Sequence, residues 1–281
     1  MSDIREKLRI DLQRIEDNQY LLGEGEELWD YITLMLQYIG DPQTELRDEL
    51  IYPTFYEWIS VRRLFTEVEL LDMLSVLIDE QHLFYHIGSE GEASVFTRTF
   101  SVLVVTLIIQ RHIQQPFIDK SGFVRLTSAL IRYYKEEKDL RGYVEDGGWA
   151  HAAAHGADAL EELVQCPESD ASVQQKVLAA IQGMLYNGRY SFSDEEDERI
   201  ASIVDAVIKY DRLPQQTVSD WFGQLEQCVS WPKTRNQVIT RVNSKDFLRA
   251  LYFRLIHHHH GTDLITALLT TEAKLNKFVQ Y

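Results

Sequence analysis

The sequence predicts an all-α protein, and three observations carry that prediction. Apolar residues recur with the helical period along most of the chain. Helix starts and stops are marked by capping residues and glycines. The joints between periodic segments are short, with no Pro/Gly/Ser-rich tract among them. About twelve segments in 281 residues amount to roughly one helical pair per 45 residues, the spacing of HEAT-like repeats. The expected architecture is a right-handed α-α superhelix, a solenoid of about six antiparallel helix pairs forming one domain over residues 1–281. Similarity between the pairs is weak, so spacing alone carries the repeat, and a compact helical bundle is the competing arrangement.

Each element follows from its local pattern. The first segment, 3–16, sets Ile4, Leu8, Leu12 and Ile15 on one face; the second, 24–39, does so with Leu28, Ile32, Met35, Leu36 and Ile39. Asp41-Pro42 opens the third, 42–60, as an N-cap before a proline at the first helical position. Pro53 should break or kink that helix. Thr66 with Glu69 forms a capping box ahead of 67–80. In 94–113 the β-branched run at 102–109 resembles a strand, but its flanks and length favour a buried helix. Segments 121–137, 149–164, 170–186, 194–210, 214–229, 235–258 and 262–278 complete the series. Ser193 with Glu196 reads as a second capping box, and the acidic tract at 194–198 as a first helical turn, where carboxylates suit the dipole. Gly40, Gly88 and Gly261 stand where helices should stop.

Composition narrows the function classes. Hydrophobic residues make up 45% of the chain, enough for a core that needs neither disulfides nor metal. Cys166 and Cys228 form no CxxC pattern, which suits a reducing, cytoplasmic setting. Lys plus Arg is 28 and Asp plus Glu is 44, a net charge of -16. Such a chain repels phosphate backbones, so nucleic acid is not an expected partner. The N-terminus is charged throughout, which predicts no signal peptide. The most apolar run, VLVVTLIIQ from Val102, is too short to span a bilayer, and no membrane association is expected. P-loop, GxGxxG, GxSxG and kinase signatures are all missing from the sequence.

The candidate site is RGYVEDGGWAHAAAHGADALEEL, Arg141 to Leu163. On a helical wheel Trp149, Ala152, Ala153, Gly156, Leu160, Leu163 and Val164 form the core stripe. His151, His155, Asp158 and Glu162 fall on the opposite, polar face, and Ala150, Ala154 and Ala157 make a small-residue stripe beside them. Three readings compete. In the first, His151 and His155 share a divalent metal at the spacing of an HExxH helix. Ala152 stands where that motif has its glutamate, and Asp158 lies roughly 10 Å from His151 along the axis, so other ligands must come from elsewhere. No other cofactor is expected. In the second, His151, His155 and Asp158 form a metal-free catalytic group, with Asp158 orienting the His155 ring. Arg141 and Asp146 then supply an anion-binding or structural pair. In the third, the polar face is simply solvated.

Arg47 beside Asp48, and Arg98 one turn from Ser101, are further ligand-binding candidates, each with a structural ion pair as the alternative. His257 to His260 end a helix, where protonated histidines favour the dipole. A metal site there meets the difficulty that four consecutive helical residues point in four directions. The residues therefore support a binding scaffold that holds a peptide, a protein or a small polar ligand in a concave groove, contacted by Arg141, Asp146, Trp149, Glu162, Arg47 and Arg98. The alternative is a hydrolytic enzyme using His151 and His155 as acid–base groups or metal ligands.

GWAHAAAHGADAL, together with DPQTELRDELIYPTFYEWI and HLFYHIGSEGEASVFTRTFSVLVV, resembles a family of uncharacterised bacterial proteins, mostly Gram-positive, defined as a domain of unknown function. Its G-W-x-H-x-x-x-H-G-A-D segment is matched by Gly148, Trp149, His151, His155, Gly156, Ala157 and Asp158. The resemblance implies where to look and attaches no activity. The helical architecture is also similar to HEAT-like superhelices, some of them DNA glycosylases with a basic groove, a function that the acidic net charge opposes.

Overall fold

A computed structural model describes residues 2–279. Twelve helical runs and one small hairpin follow in order: α1 (Ser2–Asp17), α2 (Leu28–Gln37), a run over 44–61, α5 (Glu67–Leu77), α6 (Ser94–Gln114), α7 (Lys120–Glu136), β1 (Tyr143–Val144), β2 (Gly148–Trp149), α8 (Ala152–Gln165), α9 (Ala171–Leu185), α10 (Glu196–Tyr210), α11 (Gln215–Gln224) with a 3-10 extension, α12 (Arg235–His258) and α13 (Ile265–Leu275). Within 44–61, α3 (Thr44–Leu46) and α4 (Tyr52–Tyr56) alternate with π-helical turns at Arg47–Ile51 and Glu57–Val61. Of the expected break or kink at Pro53, a break does not occur, since the helical run continues through it. The wider π turn just before it relieves the clash that a proline ring makes one turn back.

The Thr66–Glu69 capping box forms in full. The one expected at Ser193 does not. There the chain enters α10 through Glu195 in the left-handed region, and the Glu196 carboxylate accepts from the Asp194 N–H at 2.9 Å. The β-branched run lies inside α6, whose residues are mostly buried. That helix is long and apolar enough to cross a membrane, with 83% of its most apolar window buried inside the protein. The expectation that the run is too short counted nine residues, where the helix has 21.

Packing groups the chain into two compact units. One extends through Ser121 and resumes from Glu137 to His155; the other takes Gly122–Glu136 and continues from Gly156 onward. In the first unit, α6 is the central helix, with α4 and α5 packed against it. Gly40 sits against this helix. A Cβ there would lie 2.5 Å from the Thr97 backbone N and 2.6 Å from its Cα. The glycine follows the end of α2, as expected, and is required there by close approach. Gly40→Ala is expected to lose about 1–3 kcal/mol of unfolding free energy by overpacking, measured by urea denaturation; an unchanged midpoint would refute the tight contact.

In the second unit, α12 packs on its neighbour α13, and several helices also pack two apart along the chain. α8 meets α10 through Asp158–Arg199, Glu161–Ser202 and Gln165–Tyr210. α10 packs on α12, and α11 on α13. The Trp221 indole N–H on α11 donates to the Leu178 carbonyl on α9 at 3.0 Å. Gly156 lets α8 lie on α7, since a Cβ there would meet the Tyr134 ring at 2.8 Å and the Tyr133 ring at 3.0 Å.

Candidate functional site

The motif segment opens as a hairpin, not as a helix. Tyr143 pairs with Trp149 and Val144 with Gly148 across an antiparallel two-stranded ladder. The turn is closed by the Gly147 N–H donating to the Val144 carbonyl at 3.0 Å. Gly148 has a φ of 74° and Gly147 lies against Phe96, so both glycines are fixed by geometry. The Ala150 N–H then donates to Gly142 and the His151 N–H to Arg141, which prolongs the pairing. His151 takes a φ of 47°, and only from Ala152 does the chain become helical.

This corrects the wheel at its first position. Trp149 does not belong to the core stripe: it is 43% exposed on β2, beside Tyr143 at 58%. The helical remainder of the wheel holds. Ala152, Ala153, Leu160, Leu163 and Val164 are buried, whereas His155, Asp158 and Glu162 are half-buried. The small-residue stripe of Ala150, Ala154 and Ala157 is fully buried and serves packing.

The two histidines are links in an aromatic series within the first unit. Tyr143 meets Trp149 edge-on at 5.0 Å, and Trp149 stacks on His151 at 4.4 Å. His151 meets His155 edge-on at 5.7 Å, and His155 meets Phe100 in the same way at 5.9 Å. Phe100 in turn lies edge-on to Tyr52. The exposed indole is thus connected ring by ring to the core.

Two of the candidate arginines are buried in the first unit, and one of them, Arg47, holds the hairpin from within. Arg47 is fully buried, so its guanidinium is closed to a ligand. It donates to the Asp41 carbonyl at 2.7 Å, to the Gly147 carbonyl at the hairpin turn and to the Asp48 carboxylate, and it lies over the Phe96 and Phe100 rings. Burial pushes the Asp48 carboxyl above its usual range, an effect that the Arg47 hydrogen bond opposes. Arg98 is equally buried and makes a bidentate pair with Glu137 at 2.6 and 2.9 Å. Both make structural ion pairs, the alternative that the sequence offered beside a ligand contact. Ser101, one turn from Arg98, donates to the Thr97 carbonyl within its own helix. Arg141 pairs with Asp139 at 2.6 Å rather than with Asp146, which lies exposed in the hairpin turn.

The division between the units falls after His155, and Asp158 and Glu162 belong to the second. Both Asp158 oxygens accept from Arg199, at 2.6 and 2.7 Å. A Glu162 oxygen accepts from Gln165 at 3.3 Å. Burial raises the Cys166 thiol to about 12 and Cys228 to about 11, so neither supplies a thiolate nucleophile at neutral pH.

A second constellation joins the histidine run, already a weighed metal site, to Asp205, which the sequence did not single out. His258 ends α12, His259 takes a φ of 57°, and His260 is turned back by that left-handed step. The His258 Nδ1 lies 2.8 Å from one oxygen of Asp205, and the His260 Nε2 2.6 Å from the other. The expectation of four residues in four directions assumed that the helix continues through all of them. An αL residue between two histidines is what brings both onto one carboxylate.

No curated protein and no solved structure is similar enough to this chain to match it. A family model does match, over residues 83–253, which include the hairpin, His151, His155 and Asp205 and end ahead of His258. That span is more than half of the chain, and the protein therefore belongs to the family of proteins of unknown function DUF2785.

Proposed function

We propose that this protein is a binding module whose Tyr143–Trp149 hairpin takes a basic peptide segment of a partner protein. One observation carries the reading: Trp149 stands 43% exposed on a two-residue strand that Arg47 anchors from below. A large aromatic ring in a fixed position offers contact area at little entropic cost, and such residues dominate binding energies. Its charge surroundings choose the partner. Glu145 and Asp146 are exposed in the hairpin turn, and the chain carries a net charge of -16. An arginine or lysine side chain over the indole gains a cation–π contact beside those carboxylates.

The hydrolytic reading has less support. The His151 ring is stacked on Trp149 and meets His155 edge-on, a geometry that builds an aromatic cluster. The HEAT-like part of the proposal rests on the second unit alone, where α8, α10 and α12 follow one another in contact, as do α9, α11 and α13.

The test is fluorescence anisotropy with labelled arginine-rich and glutamate-rich peptides of equal length. Trp149→Ala is expected to weaken arginine-peptide binding by at least about tenfold, in line with loss of an aromatic anchor. Trp231→Ala, which removes an exposed indole of the other unit, should leave it unchanged. Equal binding of both peptides, or equal losses in both variants, would remove the hairpin from the reading.

A further inference from the structure

We propose that Asp205, His258 and His260 form a binding site for a divalent transition-metal ion of the zinc class. The three side chains bring one carboxylate oxygen and two imidazole nitrogens within 4.8 Å of one another, and among the described residues they are the group of three that could hold an ion. Two imidazoles and a carboxylate are a donor set that suits zinc, cobalt or nickel better than calcium or magnesium. Three protein ligands also leave a tetrahedral ion one position for water or an exogenous ligand.

The surroundings make room for that position. A cleft of about 370 Å³ opens beside the three ligands and is also lined by Glu161, Lys209, Tyr210 and Arg254. Asp205 itself is buried on α10, held by the packing of that helix against α12. The backbone preorganises the two histidines, since His259 in the left-handed region turns His260 back beside the end of α12. All of these residues belong to the second compact unit. The site is therefore independent of the Trp149 hairpin, and its test does not bear on the peptide-binding proposal.

The ion-free geometry shows what must change on binding. The Asp205 oxygens stand 2.8 Å from His258 Nδ1 and 2.6 Å from His260 Nε2, which are hydrogen-bond distances. Around a tetrahedral ion with bonds of 2.0–2.2 Å, neighbouring ligand atoms are about 3.3 Å apart. The two histidines face different oxygens of Asp205, so a shared ion must draw both imidazole nitrogens around one carboxylate, a change open to χ rotations of two partly exposed histidines. To bind the ion, each imidazole must turn an unprotonated ring nitrogen toward it.

A run of four histidines binds metal ions loosely whatever it faces, so the experiment must separate the run from the site. Protein freed of any purification tag is titrated calorimetrically with Zn²⁺, and with Co²⁺ to read the visible bands of a tetrahedral ion. One equivalent of each is expected to bind. Asp205→Asn, which keeps the shape of the side chain, should weaken Zn²⁺ binding at least tenfold and abolish the tetrahedral Co²⁺ spectrum. His260→Ala should do the same. The double variant His257→Ala/His259→Ala should retain the spectrum and bind within about threefold of the unmodified protein. Circular dichroism confirms that each variant is folded. Zn²⁺ affinity that is indifferent to Asp205→Asn would place the ion on the histidine run alone and overturn the proposal, as would an octahedral Co²⁺ spectrum in the unmodified protein.

Discussion

Arg98→Met should cost about 3–5 kcal/mol of unfolding free energy, the range for removing one partner of a buried ion pair. Neither Arg98 nor Glu137 has exposed side-chain surface. The guanidinium also donates to the carbonyls of Tyr85 at 2.9 Å and His86 at 3.3 Å, in the loop between α5 and α6. A methionine fills much of the volume but leaves those acceptors and the Glu137 carboxylate in a dry interior. Glu137 keeps its backbone donors at Lys138 and Asp139, which favour the ionised carboxylate yet do not neutralise it. The double variant Arg98→Met/Glu137→Gln should therefore lose less than the sum of its two single variants, because no uncompensated charge remains. Urea denaturation of the four proteins closes the cycle. Limited proteolysis of Arg98→Met should give early cleavage near residues 85–89, where the loop has lost its anchor. A loss below about 1 kcal/mol would mean that the buried site rearranges to readmit water.

The helices were legible because their apolar period is local and their ends carry chemistry of their own. Thr66 and Glu69 cap α5 as the sequence predicts, and the β-branched run folds as a helix because its length and flanks outweigh β-propensity. The hairpin was written in Asp146-Gly147-Gly148, a strong turn signal. It was lost because Trp149 fits the helical period that begins three residues later. No periodicity argument separates a strand of two residues from the first turn of a helix. The roles of Arg47 and Arg98 were illegible for another reason. Their partners Gly147 and Glu137 lie 100 and 39 residues away, and only the tertiary fold shows that a charge is buried. The Asp205 cluster combines both difficulties, a partner more than 50 residues distant and one left-handed residue, His259, that redirects the chain.

Arg47→Met should also cost about 3–5 kcal/mol, and its consequences should reach the hairpin surface. The buried guanidinium bridges the Asp41 carbonyl, the Asp48 carboxylate and the Gly147 carbonyl while lying 3.9 Å from the centre of the Phe96 ring. Methionine restores the apolar contact and none of the hydrogen bonds. Asp48 then keeps the burial that raises its carboxyl and loses the group that offsets it. Arg47→Lys should fall between the two, since an ammonium keeps the charge but lacks the fork that reaches three acceptors at once. Hydrogen exchange discriminates a hairpin anchor from a core filler. If Arg47 anchors the turn, the Ala150 and His151 amides, which donate to Gly142 and Arg141, should lose protection well before α6 does. Arginine-peptide binding should weaken as well, although Trp149 is untouched. A variant that is less stable yet keeps both the exchange pattern and the peptide affinity would assign Arg47 to packing alone. The reason to expect otherwise is geometric: a two-residue ladder has too few hydrogen bonds to stand alone, so what holds the Gly147 carbonyl holds the position of Trp149.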